Sequence, residues 1–245
     1  MNNKIEGIVL RQSEYRDSDM ILSVFTRENG KMSFLARGIK KAQSKNASSC
    51  SLFCHSLFHY NDNGKNGIQT LKTAERKTMF YKIYEDLLRQ SVAQVMCECV
   101  EKMVDGISEE VYDALYACLL YLHNENDPLL VLSLFLTIAN EYCGVTPNVD
   151  TCVHCNTQKN IASISLEDGG FVCVQCMDML HHKKYGEQKL RDFRLVHKAG
   201  IEDFEVLKQY VKGEYEMVEL LISFFEEYSG SHVKSFAFLK SIINL

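Results

Sequence analysis

The chain has 245 residues, of which 46% are hydrophobic and 24% are charged, a balance that supports a folded core and excludes a disordered or fibrous protein. No run of about 18 apolar residues occurs and the first residues lack an apolar signal region, so we expect no membrane span and a cytoplasmic location. The net charge of −5 argues against a protein whose whole surface binds nucleic acid.

Residues 4–77 carry the residue types and turn signals of short β-strands. The five predicted strands are Lys4–Leu10, Met20–Thr26, Lys31–Arg37, Leu52–Tyr60 and Gly67–Lys77. The polar, basic stretch from Gly38 to Asn46 lacks hydrophobic periodicity and predicts a loop. Five short strands in one N-terminal domain, residues 1–77, are typical of a small closed or half-closed barrel.

After the strands, hydrophobic residues recur at helical spacing, which predicts an α-helical domain over residues 78–245 and an α+β protein as a whole. The predicted helices are Phe80–Met103, Val111–Leu122, Pro128–Tyr142, Ile201–Val211, Glu214–Tyr228 and Val233–Ile243. Asp105-Gly106 predicts the end of the first helix, and Ser108 lies at the start of the second. Asp127 is a predicted N-cap because a proline follows it at the first helical position.

Four of the ten cysteines form two Cys-x2-Cys pairs separated by seventeen residues: Cys152, Cys155, Cys173 and Cys176. Two such pairs can complete a tetrahedral thiolate shell, which suits one zinc ion. Between them, residues 161–171 predict a hairpin with Asp168-Gly169-Gly170 as its turn. The sequence therefore predicts a zinc-ribbon insert over about residues 150–180 of the helical domain.

Four thiolates leave no open coordination position, so the predicted zinc site is structural rather than catalytic. Two alternatives stay open: Cys152 and Cys155 could form a redox pair, or a nearby histidine could replace one cysteine as a ligand. The histidines in question are His154, His181 and His182. We expect the remaining cysteines to be small buried apolar residues, and they are Cys50, Cys54, Cys97, Cys99, Cys118 and Cys143.

The sequence lacks the short motifs that accompany common catalytic mechanisms. It contains no phosphate-binding loop of the GxxxxGK type, no GxGxxG after a strand, no GxSxG and no HExxH. The zinc deaminase signature, a His-x-Glu followed by Pro-Cys-x2-Cys, is also absent. No acid–base pair can be assembled from the remaining residues, so we expect a protein that is not an enzyme and has no small-molecule substrate.

Charge is unevenly distributed along the chain. Residues 1–77 contain 13 Lys and Arg against 7 Asp and Glu, whereas the remainder contains 14 against 25. A basic first third favours a local phosphate-binding surface, although an ordinary fluctuation in surface charge would look the same. Cations interleaved with aromatic residues are typical of single-strand binding, although Phe25 and Phe34 are expected in the core. The candidate DNA contacts are Arg11, Tyr15, Arg16, Arg27, Lys31, Arg37, Lys40, Lys41 and Lys45.

Residues 7–41 resemble the N-terminal signature of the bacterial RecO family. The matching elements are Gly7-Ile8-Val9-Leu10, Tyr15-Arg16-Asp17-Ser18-Asp19, Phe25-Thr26-Arg27-Glu28-Asn29-Gly30 and Ala36-Arg37-Gly38. The four-cysteine pattern is similar to that of zinc-bearing members of the family. Residues 234–240 are similar to the last helix of the family, so the resemblance touches both ends of the chain and the cysteine module.

The resemblance implies an N-terminal OB-fold followed by a helical domain with a zinc insert. It implies a recombination mediator that binds single- and double-stranded DNA and anneals complementary strands in the cytoplasm, in association with the nucleoid. The implied partners are RecR, in some settings RecF, and the acidic C-terminal tail of the single-stranded-DNA-binding protein (SSB), from which such mediators help to load RecA. By charge, Lys102, Lys208 and Lys212 are candidates for the tail.

Within this resemblance, the DNA-contact role carries over most directly to Arg16, Arg27, Arg37, Lys40 and Lys41. Two rival functions remain. A zinc-stapled adaptor would bind proteins and touch DNA only weakly, in keeping with the acidic C-terminal two-thirds of the chain. A zinc hydrolase would need an open metal site, which four cysteine ligands do not leave.

Overall fold

A computed structural model of the chain describes residues 2–64, 67–104, 106 and 109–243. The chain forms two compact units. The first unit holds the described residues up to Asn126 together with those from Val233 onward, and the second spans Asp127–His232. The first packing unit contains helices as well as strands, so these units do not correspond to the predicted domains. The domain limits 1–77, 78–245 and 150–180 stay predictions.

The N-terminal strands form a closed barrel in the order β1-β2-β3-β5-β4. The strands are β1 (Asn2–Glu14), β2 (Met20–Thr26), β3 (Gly30–Ala36), β4 (His55–Asn61) and β5 (Gln69–Thr78). Strand β1 pairs antiparallel with both β2 and β4, and β3 runs parallel to β5. Five strands in this order match an OB-like barrel, so the predicted barrel is confirmed.

Strand β1 continues to Glu14, beyond the predicted end at Leu10, because its second half pairs with β2. Gly7 pairs with Ser56 on one side and Thr26 on the other. A Cβ atom at Gly7 would lie 2.5 Å from Cγ1 of Val24, closer than carbon atoms approach without displacement. Glycine at position 7 therefore allows β2 to cross β1 closely enough to close the barrel.

The barrel interior is filled by alternate residues of all five strands. Phe34 and Phe58 are fully buried, and their ring centroids lie 5.4 Å apart. Phe25 is also buried, but on the outer face of the barrel, with its ring centroid 5.7 Å from that of Tyr112. The prediction that Phe25 and Phe34 are core residues is therefore confirmed.

In the part of the chain that the structure describes, the helices are α1 (Tyr81–Tyr84), α2 (Leu87–Lys102), α3 (Glu109–His123), α4 (Pro128–Tyr142), α5 (Glu187–Lys198), α6 (Phe204–Leu207), α7 (Tyr215–Ser229) and α8 (Lys234–Ile243). The helix predicted over residues 80–103 is divided, because the side chain of Asp86 accepts a hydrogen bond from Arg89 N at 2.7 Å and begins α2. The predicted boundary signals at Asp105 and Ser108 lie outside the described residues.

Helix α8 packs against α2 within the first unit. The carboxylate of Glu98 on α2 accepts hydrogen bonds from Lys234 N at 3.0 Å and Ser235 N at 2.8 Å. Burial opposes ionisation of Glu98, but the bonds from Ser235 and Lys234 outweigh it and lower the pKa of this carboxyl. A side chain from another helix thus satisfies the N-terminal N–H groups of α8 and fixes its position.

In the second unit, α4 begins as predicted, with Oδ1 of Asp127 accepting hydrogen bonds from Leu129 N and Leu130 N. Helix α4 is buried along most of its length and packs against α7. Asn140 on α4 donates from Nδ2 to the carbonyl of Leu221 on α7 at 3.1 Å. This buried polar contact sets how the two helices pair.

Two parts of the second unit differ from the prediction. Helix α5 was not predicted, although Leu190, Phe193 and Val196 recur on one face of it and are buried. In contrast, the helix predicted over residues 201–211 consists of a short 3₁₀ turn, Ile201–Asp203, followed by the single turn of α6.

The prediction for the six remaining cysteines is largely confirmed. Cys50, Cys54, Cys97, Cys99 and Cys118 are buried, whereas Cys143 is half-buried. Among the described helices, none has both the length and the apolar character needed to cross a membrane.

His197 on α5 gives the second unit a dependence on pH. Its Nδ1 donates to the carbonyl of Phe193 at 2.8 Å, while Nε2 is buried and has no hydrogen-bond partner among the described residues. Burial lowers the pKa of His197 from 6.5 to about 4. Between these values the unfolded chain binds a proton that the folded one does not, so stability present above pH 6.5 is lost as the pH falls.

We expect the free energy of unfolding to fall by up to about 3 kcal/mol between about pH 6.5 and about pH 4 through this one group. Urea unfolding across this range should show a smaller pH slope for His197→Gln than for the wild type. His232→Gln is the control, because that histidine is mostly exposed. Parallel pH profiles for all three proteins would contradict the assignment.

Candidate metal centre and nucleic-acid surface

The four predicted zinc ligands come together in the second unit. The Sγ atoms of Cys152, Cys155, Cys173 and Cys176 all lie within 4.8 Å of one another. Cys152 and Cys173 are buried, Cys176 is half-buried and Cys155 is exposed. Among the described residues this is the one cluster whose ligand atoms lie close enough together to hold a metal ion.

Local backbone turns place the sulfur atoms. The predicted hairpin is present as β6 (Ile161–Ser165) and β7 (Gly170–Cys173), and it ends on the third cysteine. Cys176 N donates to Cys173 O at 3.1 Å, which turns the second Cys-x2-Cys pair back on itself. In the first pair, Asn156 N donates to Cys152 O at 2.9 Å, and Asn156 adopts a φ of 59° that asparagine tolerates.

The thiols differ in how easily they ionise. Burial disfavours the thiolate of Cys152, but N–H groups of Cys173, Cys155 and His154 outweigh this effect and lower its pKa to about 6. The neighbouring thiols of Cys155 and Cys173 raise the pKa of Cys176 to about 12. The Cys152 thiol therefore ionises readily, whereas its neighbours disfavour ionisation of the Cys176 thiol. A bound divalent cation would stabilise all four thiolates.

The three nearby histidines have partners other than the sulfur atoms. His154 Nε2 lies 3.3 Å from Oδ1 of Asp168, and His182 Nε2 lies 2.7 Å from Oδ2 of the same residue. His181 pairs with Asp178 at 2.9 Å. Because all four thiols converge and the histidines are engaged elsewhere, the alternative in which a histidine replaces a cysteine is not supported.

Asp168 was not expected to contribute to this centre, since it reads in the sequence as a turn residue. It lies at the tip of the β6–β7 hairpin, between a histidine of the first Cys-x2-Cys pair and one that follows the second pair. A hydrogen bond from Ser165, together with His182 and His154, lowers the pKa of Asp168. The ionised carboxylate therefore ties both halves of the cysteine module to the hairpin.

Two candidate DNA contacts in the barrel also contact the helices of the first unit. Arg27 pairs with Asp113 at 2.8 Å and with Glu109 at 3.1 Å, both on α3. Lys31 Nζ donates to the carbonyls of Glu101 and Met103 at 3.0 and 2.7 Å, at the C-terminal end of α2. A cation at the C-terminal end of a helix interacts favourably with the helix dipole, so Lys31 stabilises the end of α2. Arg27 joins the barrel to α3 through its two ion pairs.

Two further candidates pair with carboxylates while staying partly accessible. Arg11 lies 3.4 Å from Glu101, although most of its side chain is exposed. Lys40 pairs with Glu14 at the end of β1, where the hydrogen bond from Lys40 lowers the pKa of that carboxyl. Pairs this exposed exchange readily for a phosphate, since each contributes little to stability.

The other candidates lie on the β1–β2 turn, residues 15–19, and the β3–β4 loop, residues 37–54. These exposed residues are Tyr15, Arg16, Arg37, Lys41 and Lys45, and we call them the loop surface. None of its four cations forms an ion pair with another described residue. The guanidinium of Arg16 lies 5.2 Å from the ring centroid of Tyr15, a cation beside an exposed aromatic face. The loop surface thus offers unpaired charge and a stacking platform together.

Comparison with known proteins agrees with this architecture. Residues 1–80 match the family model described as Recombination protein O N terminal, and residues 84–237 match the one described as Recombination protein O C terminal. The DNA repair protein RecO of Halalkalibacterium halodurans is 27% identical over 99% of this chain and 96% of its own length. Proteins of the same name from Bacillus cereus (strain AH187) and Bacillus anthracis are each 28% identical over 99% of this chain and 98% of their own.

Together the two family models cover nearly the whole chain. The chain therefore belongs to the RecO family, and its role lies in DNA repair and recombination.

The cysteine cluster predicts how the second unit responds to loss of one ligand. Cys155→Ser should lower both metal content and melting temperature, because the free energy of metal binding contributes directly to folding. Metal analysis and thermal unfolding check this, and excess chelator added to the wild type should reproduce the change. Cys143→Ser is the control, since that thiol is half-buried outside the cluster. Retained metal and unchanged melting in Cys155→Ser would refute the ligand assignment.

Proposed function

We propose that this member of the RecO family is a recombination mediator that binds single- and double-stranded DNA and anneals complementary strands. The observation that supports it best is the loop surface, where four exposed cations accompany the exposed ring of Tyr15 on an OB-like barrel. Cations that form no ion pair with another described residue are available to phosphates, whose neutralisation releases counterions.

No bond-making step is needed for such a function. Cations neutralise phosphates along each strand, which reduces the repulsion between two complementary strands brought together. An exposed aromatic ring can stack on any base, so contact does not depend on sequence. This mechanism accounts for annealing by a protein that is not an enzyme.

The proposed partners follow from the family. We propose that the chain acts with RecR, and in some settings RecF, to help load RecA on single strands coated by SSB. It would contact the acidic C-terminal tail of SSB, for which Lys102, Lys208 and Lys212 supply candidate charges. The proposed location is the cytoplasm, in association with the nucleoid.

The metal proposed for the cysteine cluster is one structural zinc ion, held by Cys152, Cys155, Cys173 and Cys176. Two sulfur ligands at about 2.3 Å in a tetrahedral shell lie about 3.8 Å apart. The Sγ atoms of Cys155 and Cys173 are separated by 3.7 Å, which fits that shell. Zinc would staple the two halves of the module together, and four sulfur ligands would leave no position for a reacting water.

A second candidate function is a zinc-stapled adaptor that binds proteins and touches DNA only weakly. The exposure of Met179 and Leu180, at 73% and 89%, favours a protein contact beside the metal centre. Rapid annealing of complementary strands by the isolated chain would exclude this alternative.

Replacing Arg37, Lys41 and Lys45 together by Gln tests the DNA-binding proposal. The affinity for a single-stranded oligonucleotide should fall by about 100-fold at ~0.1 M salt, because each lost phosphate contact removes about 0.7 from the slope of log affinity against log salt. Fluorescence anisotropy over a range of salt concentrations gives both quantities.

The matched control replaces one arginine and two lysines on the surface of the second unit, Lys159, Lys184 and Arg191, by Gln. It changes the net charge by the same amount, so its affinity should fall much less. Equal losses in both triple variants would show a general charge effect and not a site. Salt-independent binding by the wild type would overturn the proposal itself.

The zinc proposal predicts an X-ray absorption spectrum with four sulfur ligands at about 2.3 Å. A shell that contains nitrogen or oxygen would contradict it and would reopen the zinc hydrolase alternative. If the metal only supports the fold, removing zinc should lower the melting temperature strongly and the annealing rate only slightly.

A further inference from the structure

The β1–β2 turn and the β3–β4 loop meet at one end of the barrel through two hydrogen bonds. The backbone N–H of Lys40 donates to the carbonyl of Ser18 at 3.1 Å. The backbone N–H of Gly38 donates to Oδ1 of Asp19 at 2.7 Å. The first bond involves backbone atoms alone, whereas the second depends on one carboxylate, so a single substitution can weaken the junction.

Asp19 carries its charge inside the surface proposed to hold DNA. The hydrogen bond from Gly38 N lowers the pKa of Asp19, and the positive charges of Arg16 and Arg37 add to the effect against a partial burial that opposes it. The carboxylate is therefore ionised at neutral pH. It interacts electrostatically with one cation of the turn, Arg16, and one cation of the loop, Arg37.

Gly38 is the point at which the loop changes direction. Its φ of +63° lies in the left-handed region that other residues rarely adopt. Lys41 N then donates to Gly38 O at 3.2 Å and closes the next turn. Arg37 and Lys41 therefore lie on either side of a turn that begins at Gly38, and Asp19 accepts the hydrogen bond from Gly38 N.

Asp17, two residues earlier, has the same charge but a different environment. It is exposed and makes no hydrogen bond or ion pair with any other described residue. Coulomb's law alone predicts that removing either aspartate strengthens the binding of a polyanion. The two aspartates thus separate the effect of charge from the effect of geometry.

We propose that Asp19 is a positioning residue for DNA binding, which holds the Gly38 N–H and through it keeps Arg37 and Lys41 in one arrangement. The inference rests on the proposed binding of DNA by the loop surface. The negative charge of Asp19 opposes the binding of DNA. Its hydrogen bond to Gly38 N favours binding, because cations that are already ordered lose less conformational freedom when they contact phosphates. The geometric effect exceeds the charge effect at this position.

The test compares Asp19→Ala with Asp17→Ala in the full chain, using fluorescence anisotropy with a single-stranded oligonucleotide at several salt concentrations. Asp17→Ala should raise the affinity by about twofold, since it removes a repulsive charge. Asp19→Ala should lower the affinity by about fivefold or more, close to the loss of one phosphate contact at ~0.1 M salt, with a shallower salt dependence. Asp19→Asn should restore wild-type affinity or exceed it, because an amide oxygen still accepts from Gly38 N.

The inference is overturned if Asp19→Ala strengthens binding as Asp17→Ala does, or if Asp19→Asn binds as weakly as Asp19→Ala. Should Asp19→Ala fail to fold, Gly38→Ala decides, because it strains the same junction while it leaves every charge in place. Its affinity should also fall, and an unchanged affinity would refute the positioning role. Absence of salt-dependent binding in the wild type would instead overturn the proposed function, so the two failures are distinguishable.

Discussion

Strand β1 is hydrogen-bonded along both edges, and the first unit depends on this double pairing. Its first half pairs with β4 and its second half with β2, and the absence of a side chain at Gly7 allows β2 to approach closely. Closure fixes the end of the barrel at which the β1–β2 turn and the β3–β4 loop meet. In the second half of the same strand, Arg11 pairs with Glu101 of α2, so β1 also connects the barrel to its helices.

The basic character of the barrel is divided between two uses. Arg27 pairs with carboxylates of α3, and Lys31 donates hydrogen bonds to carbonyls at the end of α2. The cations of the loop surface have no such partner among the described residues and remain available to a polyanion. One stretch of sequence therefore both joins the barrel to the helices and provides the candidate DNA surface, and only the distant partners of each cation distinguish the two roles.

What could be predicted from the sequence depended on residues close together in the chain. The strands, the N-cap at Asp127 and the four cysteines are local patterns, and each is present in the structure. The partners of Arg27 and Lys31 are 86 and 72 residues away, so no local pattern could indicate them. Helix α5 was missed because it is strongly polar outside one narrow buried face, whereas the apolar residues of α6 pack without extending the helix beyond one turn.

The capping of α8 by Glu98 has a consequence for the order of events during synthesis. Helix α2 and its partner α8 are separated in the chain by the whole second unit. The ribosome therefore releases the barrel and the complete second unit before α8 is available to cover α2. Until then the face of α2 that packs against α8 is exposed in the nascent chain, where it can bind a chaperone or form non-native contacts. The first part of the protein to be made is consequently among the last to be finished.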